Sequence, residues 1–337
     1  MLMLFPPPWH LVVMPGILAK GCCYRAPSRY KGRTLFIRHA TTNLKGRCPL
    51  DNCNRRQFIS QVASTATAGI AAAGLVPSPL LRKAFAVDAP SAARLKLGIQ
   101  LYSLRGYPVD QALQHAKELG FEQVEFFSGM LPLDASAEQI AAMRARVAEL
   151  GMSISAHGVN AFGKDAAANR KTFEFAKALG IRNLTADPHP ESFDSLNDLV
   201  QEYDIRIAIH NHGPGHRYNK AVDVLQAIEG RDERIGACAD LGHYIRSGEQ
   251  PIEVIRLLKG RLCGIHLKDF ADMKADAKGV VLGQGHLNVP AVFDSLLKSG
   301  FPADGALSLE YEENPQDPIA EIRECVAVAK RALDDLS

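Results

Sequence analysis

Residues 87–337 are predicted to form an α/β fold, a single-domain (β/α)₈ TIM barrel, on three observations. Eight short apolar runs recur along this segment, amphipathic helical stretches separate most of them, and the runs begin about 30 residues apart on average. One strand–helix unit has about this length, and eight units need roughly 250 residues. A doubly wound open sheet is the alternative, but it usually has fewer strands, and no glycine-rich phosphate turn follows the first run.

The apolar runs are the predicted strands, and in chain order they are 97–102, 123–127, 153–157, 183–186, 206–210, 235–240, 262–267 and 306–311. The predicted helices are 109–119, 137–150, 173–179, 196–203, 222–228, 251–258, 289–297 and 319–333. In the first of them, Leu113, Ala116 and Leu119 share one helix face, as a helix packed on a core requires. The longest predicted loop, 271–288, separates the seventh strand from its helix.

Glycines mark the predicted helix ends. Each follows a helical stretch and precedes a strand, where a residue with left-handed backbone angles commonly ends a helix. These glycines are Gly120, Gly151, Gly180, Gly230, Gly260 and Gly300.

The first 86 residues differ from the rest of the chain in charge. They carry twelve Lys and Arg residues and one acid, Asp51, which leaves 27 bases, 36 acids and a net charge of −9 in residues 87–337. A folded body with that charge is a poor match for a polyanion, so no nucleic-acid partner is expected.

Residues 51–86 resemble a twin-arginine export signal. Arg55-Arg56 is followed by Phe58, by an uncharged stretch rich in Ala, Gly and Thr, and by Ala84-Phe85-Ala86, which is typical of a signal-peptidase site. Ser, Thr, Gly and Pro dilute this stretch too much for a membrane span of about 20 apolar residues. We therefore expect a periplasmic protein without a stable membrane anchor after signal removal. Residues 1–50 have no sustained periodicity and are left unassigned, with an over-extended gene start as the interpretation.

Polar side chains concentrate at the predicted C-terminal ends of the strands, where a barrel of this kind builds its active site. Six of the nine histidines in residues 87–337 lie there, namely His157, His189, His210, His212, His243 and His266. Acids and a lysine lie there too: Glu125, Asp187, Asp240, Lys268, Asp269, Glu310 and Glu312.

The fifth to eighth predicted strands each end in a histidine or a carboxylate, namely His210, Asp240, His266 and Glu310. Adjacent strands would bring these side chains together at one side of the barrel mouth. Two imidazoles and two carboxylates suit one divalent ion, and Mn²⁺, Co²⁺, Zn²⁺ and Fe²⁺ are all compatible. The alternative is a polar pocket that binds a sugar by hydrogen bonds alone.

Residues 97 to about 333 resemble the xylose isomerase-like TIM-barrel superfamily, the sugar phosphate isomerase/epimerase group. In relatives such as ketose 3-epimerases and inosose dehydratase, a Glu, an Asp, a His and a Glu from strands five to eight hold one metal. The resemblance therefore implies that His210, Asp240, His266 and Glu310 hold one divalent metal ion, and that His243 touches the substrate. It rests on the segments Ile207-Ala208-Ile209-His210-Asn211-His212, Asp240-Leu241-Gly242-His243, His266-Leu267-Lys268-Asp269 and Ser308-Leu309-Glu310-Tyr311.

The sequence departs from these relatives at His210, where they have Glu. In the epimerases of the group, the strand-five and strand-eight carboxylates each move a proton on opposite faces of the sugar carbon. A neutral histidine bound to a metal is a poor base through the same lone pair. Glu310 is therefore the expected base, with the second group supplied by Asp187, His212, Lys268 or Glu125. The expected catalytic residues are Glu310, Asp187 and Lys268, the expected substrate contacts are His243, His212, Glu125 and His157, and Asp269 and Glu312 are expected to orient them.

The expected function is a metal-dependent sugar isomerase or epimerase that transfers protons next to a carbonyl of a small carbohydrate. A lyase or hydratase acting on keto-sugars or keto-glycosides is the first alternative, because β-elimination needs one base and one acid. A periplasmic carbohydrate-binding protein without turnover is the second. Assembly into a homo-oligomer is left open.

Overall fold

The computed structural model of this protein describes residues 95–336. Segments 1–50 and 51–86, interpreted above as an over-extended start and an export signal, lie outside the described residues. The described part contains eight parallel strands that close into a barrel, together with a separate two-stranded antiparallel pair. The predicted (β/α)₈ TIM barrel is therefore confirmed.

The strands, numbered in chain order, are β1 (Leu97–Gln100), β2 (Gln123–Phe126), β3 (Ser153–Phe162), β4 (Asn183–Pro188), β5 (Arg206–His210), β6 (Ile235–Asp240), β7 (Leu262–Leu267), β8 (Asp269–Phe270), β9 (Gly279–Val280) and β10 (Ala306–Leu309). Strands β8 and β9 form the small pair; β9 lies within the predicted loop 271–288, and β8 directly precedes it. The other eight follow each other around the barrel in the order β1-β10-β7-β6-β5-β4-β3-β2.

Helices alternate with the barrel strands and pack outside them. They are α1 (Val109–Leu119), α2 (Ala137–Glu149), α3 (Ala166–Leu179), α4 (Phe193–Tyr203), α5 (Ala221–Ile228), α6 (Leu241–Arg246), α7 (Pro251–Leu257), α8 (Val289–Ser299) and α9 (Ile319–Asp334). Their core faces are apolar, and the predicted stripe of Leu113, Ala116 and Leu119 on α1 is buried. Within residues 95–336, each helix is too short or too polar to cross a membrane.

Local sequence explains where several helices begin and end. Ser136 and Gln139 form a capping box at the start of α2, and the Asp165 carboxylate accepts hydrogen bonds from the first N–H groups of α3. All six glycines predicted to end helices have a positive φ, which glycine adopts without steric strain.

Five of the eight barrel strands end elsewhere than predicted, and at three of them the difference affects residues near the barrel mouth. β1 ends at Gln100, whose side chain accepts a hydrogen bond from the Tyr102 N–H at 3.1 Å and starts a 3₁₀ turn. β3 continues to Phe162, so that His157 lies in the middle of the strand. β10 ends at Leu309, so that Glu310 is the first residue of the loop that follows.

Candidate metal centre

Four side chains meet at the C-terminal ends of the adjacent strands β5, β6, β7 and β10. They belong to His210, Asp240, His266 and Glu310, and one ligand atom from each lies within 4.8 Å of the others. The strand register explains the convergence, because Asp240 on β6 pairs with His266 on β7, and the same histidine pairs with Ser308 on β10. All four side chains are buried. These are the four residues predicted as metal ligands.

The donor atoms of this cluster suit a divalent ion. His210 Nε2 lies 3.1 Å from His266 Nδ1, which lies 3.2 Å from Glu310 Oε2. Asp240 Oδ2 is buried and lies 3.6 Å from His210 Nε2 and 3.0 Å from the Lys268 ammonium. The other oxygen, Oδ1, accepts a hydrogen bond from the His243 N–H at 2.7 Å, so Oδ2 is the atom left for a ligand. Two ring nitrogens and two carboxylate oxygens therefore fit Mn²⁺, Co²⁺, Zn²⁺ or Fe²⁺.

Lys268 brings a positive charge to the edge of the cluster. Its Nζ lies 2.6 Å from Glu310 Oε2, 3.0 Å from Asp240 Oδ2 and 3.3 Å from Glu312 Oε2. Burial alone lowers the pKa of Lys268, but the three carboxylates outweigh burial and raise the pKa above its usual value. The raised pKa favours the ammonium form, so the structure supports Lys268 as a cation rather than as the second base, and its catalytic role stays a prediction. It can stabilise negative charge on a bound substrate.

The negative charges at the centre stabilise positive charge on the side chains that lie between them. Burial lowers the pKa of His266, but Cys238, Glu125 and Glu310 outweigh burial and raise the pKa well above its usual value. Burial raises the pKa of Glu310, but Lys268 and His266 outweigh burial and hold the pKa low, so this carboxylate is ionised. A centre that attracts cations in this way is suited to a divalent metal ion.

Replacing Lys268 with methionine should strengthen the binding of Mn²⁺ or Zn²⁺, because the ammonium repels a divalent ion and already neutralises Asp240 and Glu310. Two unit charges 4 Å apart interact by about 4 kcal/mol at an effective dielectric constant of about 20, so we expect at least a roughly tenfold gain in affinity. Competition with a chelator measures it. Lys274→Met is the matched control, since the Lys274 ammonium is exposed and pairs with Asp272. An unchanged affinity in the Lys268 variant would contradict the placement of the ion beside this ammonium.

Glu125 does not reach the barrel mouth, and its predicted substrate contact is wrong. Its side chain is 0% exposed and lies inside the barrel beneath the cluster. The hydroxyl groups of Thr185 and Ser308 donate to its carboxylate at 2.6 Å and 2.7 Å, and His266 Nε2 lies 3.1 Å from Oε2. All three of these contacts are with groups of the protein itself. Glu125 therefore supports the candidate ligand His266 and does not face a substrate at the barrel mouth.

Two of the predicted substrate-binding histidines border the cluster. The His212 ring lies 4.7 Å from the His210 ring and 5.9 Å from the His243 ring, between centroids. Burial, followed by the charges of His210 and His216, lowers the pKa of His212 to about 4. Burial lowers the pKa of His243 to about 3, against the attraction of Asp240. Both imidazoles are therefore neutral near pH 7 and can exchange hydrogen bonds with a sugar hydroxyl.

Asp187 lies on the rim and is not among the residues that converge on the cluster. Its carboxylate lies 3.4 Å from the guanidinium of Arg217 and is 39% exposed. The Arg217 guanidinium also donates to the carbonyl of Pro188, which fixes it beside the end of β4. Asp187 thus forms an ion pair between the end of β4 and the segment that follows β5, and its catalytic role stays a prediction.

His157 is packed inside the protein, which contradicts the predicted substrate contact. Its ring lies edge-on to Phe175 of α3 at 4.9 Å between centroids. Nδ1 lies 3.1 Å from Asn160 Oδ1, and Nε2 lies 2.9 Å from the carbonyl oxygen of Leu131. With both nitrogens bonded and the side chain 0% exposed, His157 is a structural residue of the outer face of β3.

Three residues that matter at this centre were not identified from the sequence. Thr185 and Ser308 hold Glu125, and Gly242 makes room for Lys268. A Cβ at Gly242 would lie 2.6 Å from Lys268 Cγ and 2.8 Å from Lys268 Cβ. Ser308 had a usable signal, because it precedes Glu310 by two residues in the predicted strand 306–311, and such residues share a face.

The fold and this cluster define a (β/α)₈ barrel with a candidate divalent-metal centre at its mouth. Residues 113–331 match the family described as the xylose isomerase-like TIM barrel, and the chain belongs to that family. An inosose dehydratase of Lacticaseibacillus casei is 27% identical over 138 residues, which cover 36% of this chain and 45% of that enzyme. The chain thus spans less than half the length of this curated relative.

Two solved structures resemble the barrel. A protein from Parabacteroides distasonis is 30% identical, with a TM-score of 0.56, over 72% of this chain and 100% of that one. The 3-keto-D-glucoside 4-epimerase of E. coli is 15% identical, with a TM-score of 0.57, over 70% of this chain and 99% of that one. At that identity the second likeness shows the fold alone. The similar proteins thus include both a dehydratase and an epimerase.

Proposed function

We propose that this protein is a divalent-metal-dependent carbohydrate lyase that eliminates an oxygen substituent from a keto-sugar or keto-glycoside. One observation carries the choice of reaction. The carboxylates of Asp240, Glu310 and Glu312 all contact the one ammonium of Lys268, at 3.0 Å, 2.6 Å and 3.3 Å, so they lie on one side of the site. Epimerisation by two carboxylates needs them on opposite faces of the substrate, whereas elimination can proceed with one.

The centre supplies each part that such an elimination needs. A divalent ion held by His210, Asp240, His266 and Glu310 would polarise the substrate carbonyl and so acidify the neighbouring C–H bond. Glu310 is ionised and is the base of the proposal. Lys268 places its ammonium where negative charge develops.

In the proposed reaction, Glu310 acts first as the general base and then as the general acid, so no second proton-transfer group is needed. Glu310 takes the proton from the carbon next to the carbonyl, the electron pair of that C–H bond forms a carbon–carbon double bond to the carbonyl carbon, and the π pair of the carbonyl moves onto its oxygen. The carbonyl then re-forms, the enolate double-bond pair shifts to join the α and β carbons, and the bond between the β carbon and its oxygen substituent breaks. Glu310 gives its proton to the departing oxygen. The substrate loses water or an alcohol, and no oxidant or reductant is needed.

Isomerisation or epimerisation, the function expected first from the sequence, is the second candidate. The observation in its favour is the position of His212 and His243, two neutral imidazoles that border the cluster on the side of His210. One of them could move a proton on the face of the substrate opposite Glu310. General acid–base catalysis of this kind typically contributes about 10²–10⁴-fold.

A substrate screen separates the candidates. The purified protein, loaded with Mn²⁺, Co²⁺ or Zn²⁺ in turn, is incubated with common sugars and glycosides and with their 3-keto derivatives. A lyase produces a conjugated ketone that absorbs in the ultraviolet and has lost the mass of water or an alcohol, and a chelator abolishes this product. An isomeric sugar of unchanged mass would support the epimerase instead. Saturable sugar binding that resists the chelator and gives no product would indicate a carbohydrate-binding protein without turnover.

We propose further that the protein acts in the periplasm after export by the twin-arginine route, on the sequence evidence of residues 51–86. The route exports folded proteins, which suits a barrel that must acquire its metal. Replacing Arg55 and Arg56 together with lysine should leave the protein in the cytoplasm, as immunoblots of cell fractions will show. Replacing Arg29 and Arg33 with lysine is the control and should leave export intact. Equal periplasmic amounts of the two variants would contradict this route.

A further inference from the structure

Glu125 lies beneath the candidate metal centre, out of reach of a substrate, yet it contacts one of the four candidate ligands. Its side chain is buried inside the barrel, and Oε2 lies 3.1 Å from His266 Nε2. We infer that Glu125 is a positioning residue that keeps a hydrogen on His266 Nε2 and so reserves Nδ1 for the metal. This inference rests on the metal site of the proposed function and names the residue that orients one of its ligands.

Two hydroxyl groups make the Glu125 carboxylate an acceptor. Thr185 Oγ1 donates to Oε1 at 2.6 Å, and Ser308 Oγ donates to Oε2 at 2.7 Å. These distances are typical of a hydroxyl that donates to an ionised carboxylate. Such a carboxylate can only accept a hydrogen bond from His266, so the hydrogen of that contact belongs to Nε2.

The other edge of the His266 ring faces the cluster. Nδ1 lies 3.1 Å from His210 Nε2 and 3.2 Å from Glu310 Oε2. Because Nε2 keeps its hydrogen whether the ring is neutral or charged, Nδ1 is the nitrogen that can offer a lone pair. Histidines that bind metals commonly donate their other N–H to a carboxylate, which fixes the orientation of the ring.

The arrangement ties the ligand on β7 to the opposite part of the barrel. Glu125 comes from β2, Thr185 from β4 and Ser308 from β10, and β1 and β10 separate β2 from β7 in the strand order. The His266 ring cannot turn without breaking its bond to a carboxylate that two other strands hold in place. The layer of polar side chains beneath the cluster therefore presets the geometry of one ligand before a metal arrives.

The nitrogen assignment can be tested in the wild-type chain. The full protein, labelled with ¹⁵N-histidine and loaded with Zn²⁺, should give long-range ¹H–¹⁵N NMR correlations in which His266 has a protonated Nε2 and a zinc-bound Nδ1. Zinc bound through Nε2 of His266, with the hydrogen on Nδ1, overturns the inference and leaves the metal site standing. A wild-type protein that binds no divalent metal overturns both.

Variants test the contribution of Glu125 to metal affinity. Glu125→Met removes the acceptor but keeps the length of the side chain, and should weaken Zn²⁺ binding by about 10–100-fold in chelator competition. Glu125→Gln keeps one acceptor oxygen and should recover part of that loss. Ser155→Ala is the matched control, because it removes a buried hydroxyl that donates to the Val124 carbonyl at 3.2 Å and leaves Glu125 and its three partners unchanged.

Wild-type affinity in a folded Glu125→Met protein would overturn the inference, since a residue needed for folding alone would not change the affinity of the folded state. If this variant does not fold, the comparison of Glu125→Gln with Ser155→Ala decides. Equal affinities in those two proteins would then overturn the inference, and a weaker affinity in Glu125→Gln supports it.

Discussion

Replacing Glu310 with glutamine should reduce turnover by at least about 10²–10⁴-fold, the usual contribution of a group that moves the proton. The substitution removes the base of the proposed reaction and one carboxylate of the metal centre with it. It also leaves the ammonium of Lys268 without the partner at 2.6 Å. Divalent-metal affinity should therefore fall together with kcat, as chelator competition and steady-state kinetics on the substrate found in the screen will show.

Glu312→Gln is the matched control for this experiment. Glu312 contacts the same ammonium at 3.3 Å, but its side chain is 36% exposed and it is not one of the four clustered residues. Its substitution should leave metal affinity near the wild-type value and should change turnover far less. If Glu310→Gln kept its turnover with saturating metal, Glu310 would not be the base, and the neutral imidazoles of His212 and His243 would take its place as candidates.

The barrel was predictable because its signal is repeated. Eight apolar runs with helical stretches between them each gave an independent indication, so an error of a few residues in one element did not alter the fold. The four candidate ligands were predictable for a related reason. Parallel strands place their C-terminal ends at one mouth, and the four residues lie within the last two positions of a buried strand or directly after it: His210, Asp240, His266 and Glu310.

The direction of individual side chains was not predictable, because barrel strands are buried on both faces and polarity does not distinguish them. His157 shows the consequence. The pairing of β3 with β4 shifts register between His157 and Asn160, and the histidine packs outward against α3. Glu125 shows another limit, since its role depends on Thr185 and Ser308, which lie far from it in the sequence. The ion pair of Asp187 was not predictable either, because its partner, Arg217, lies 30 residues further along the chain, after β5.

Asp269 was expected to orient the side chains of the site. In the structure, its carboxylate accepts hydrogen bonds from the backbone of the loop that follows β7. Its side chain is 2% exposed. Oδ1 accepts hydrogen bonds from the backbone N–H groups of Phe270, His286 and Leu287 at 2.8, 2.8 and 2.9 Å. Oδ2 accepts two more at 2.9 and 3.0 Å, from the N–H groups of Gly283 and Gly285. One carboxylate thus joins Phe270 to the stretch from Gly283 to Leu287, in the loop that begins after Lys268.

Replacing Asp269 with alanine should lower the free energy of unfolding by about 3 kcal/mol, because five N–H groups lose a charged acceptor and the two buried ones, of Phe270 and Leu287, each cost about 1–3 kcal/mol when unpaired. Urea denaturation measures this loss. Asp272→Ala is the matched control in the same loop. The exposed Asp272 carboxylate bonds the Met273 N–H and Lys274, so its loss should change stability by no more than about 0.5 kcal/mol.

The two variants should also differ in where the loop becomes mobile. In Asp269→Ala, hydrogen exchange should accelerate at the amides of Gly283, Gly285, His286 and Leu287, which are the groups that the carboxylate holds. Because this segment is held by the residue that follows Lys268, its release should lower kcat more than it lowers metal affinity. Equal stability and equal exchange in the two variants would mean that the loop keeps its shape without Asp269, and that the carboxylate merely follows a conformation set by the packing of the loop.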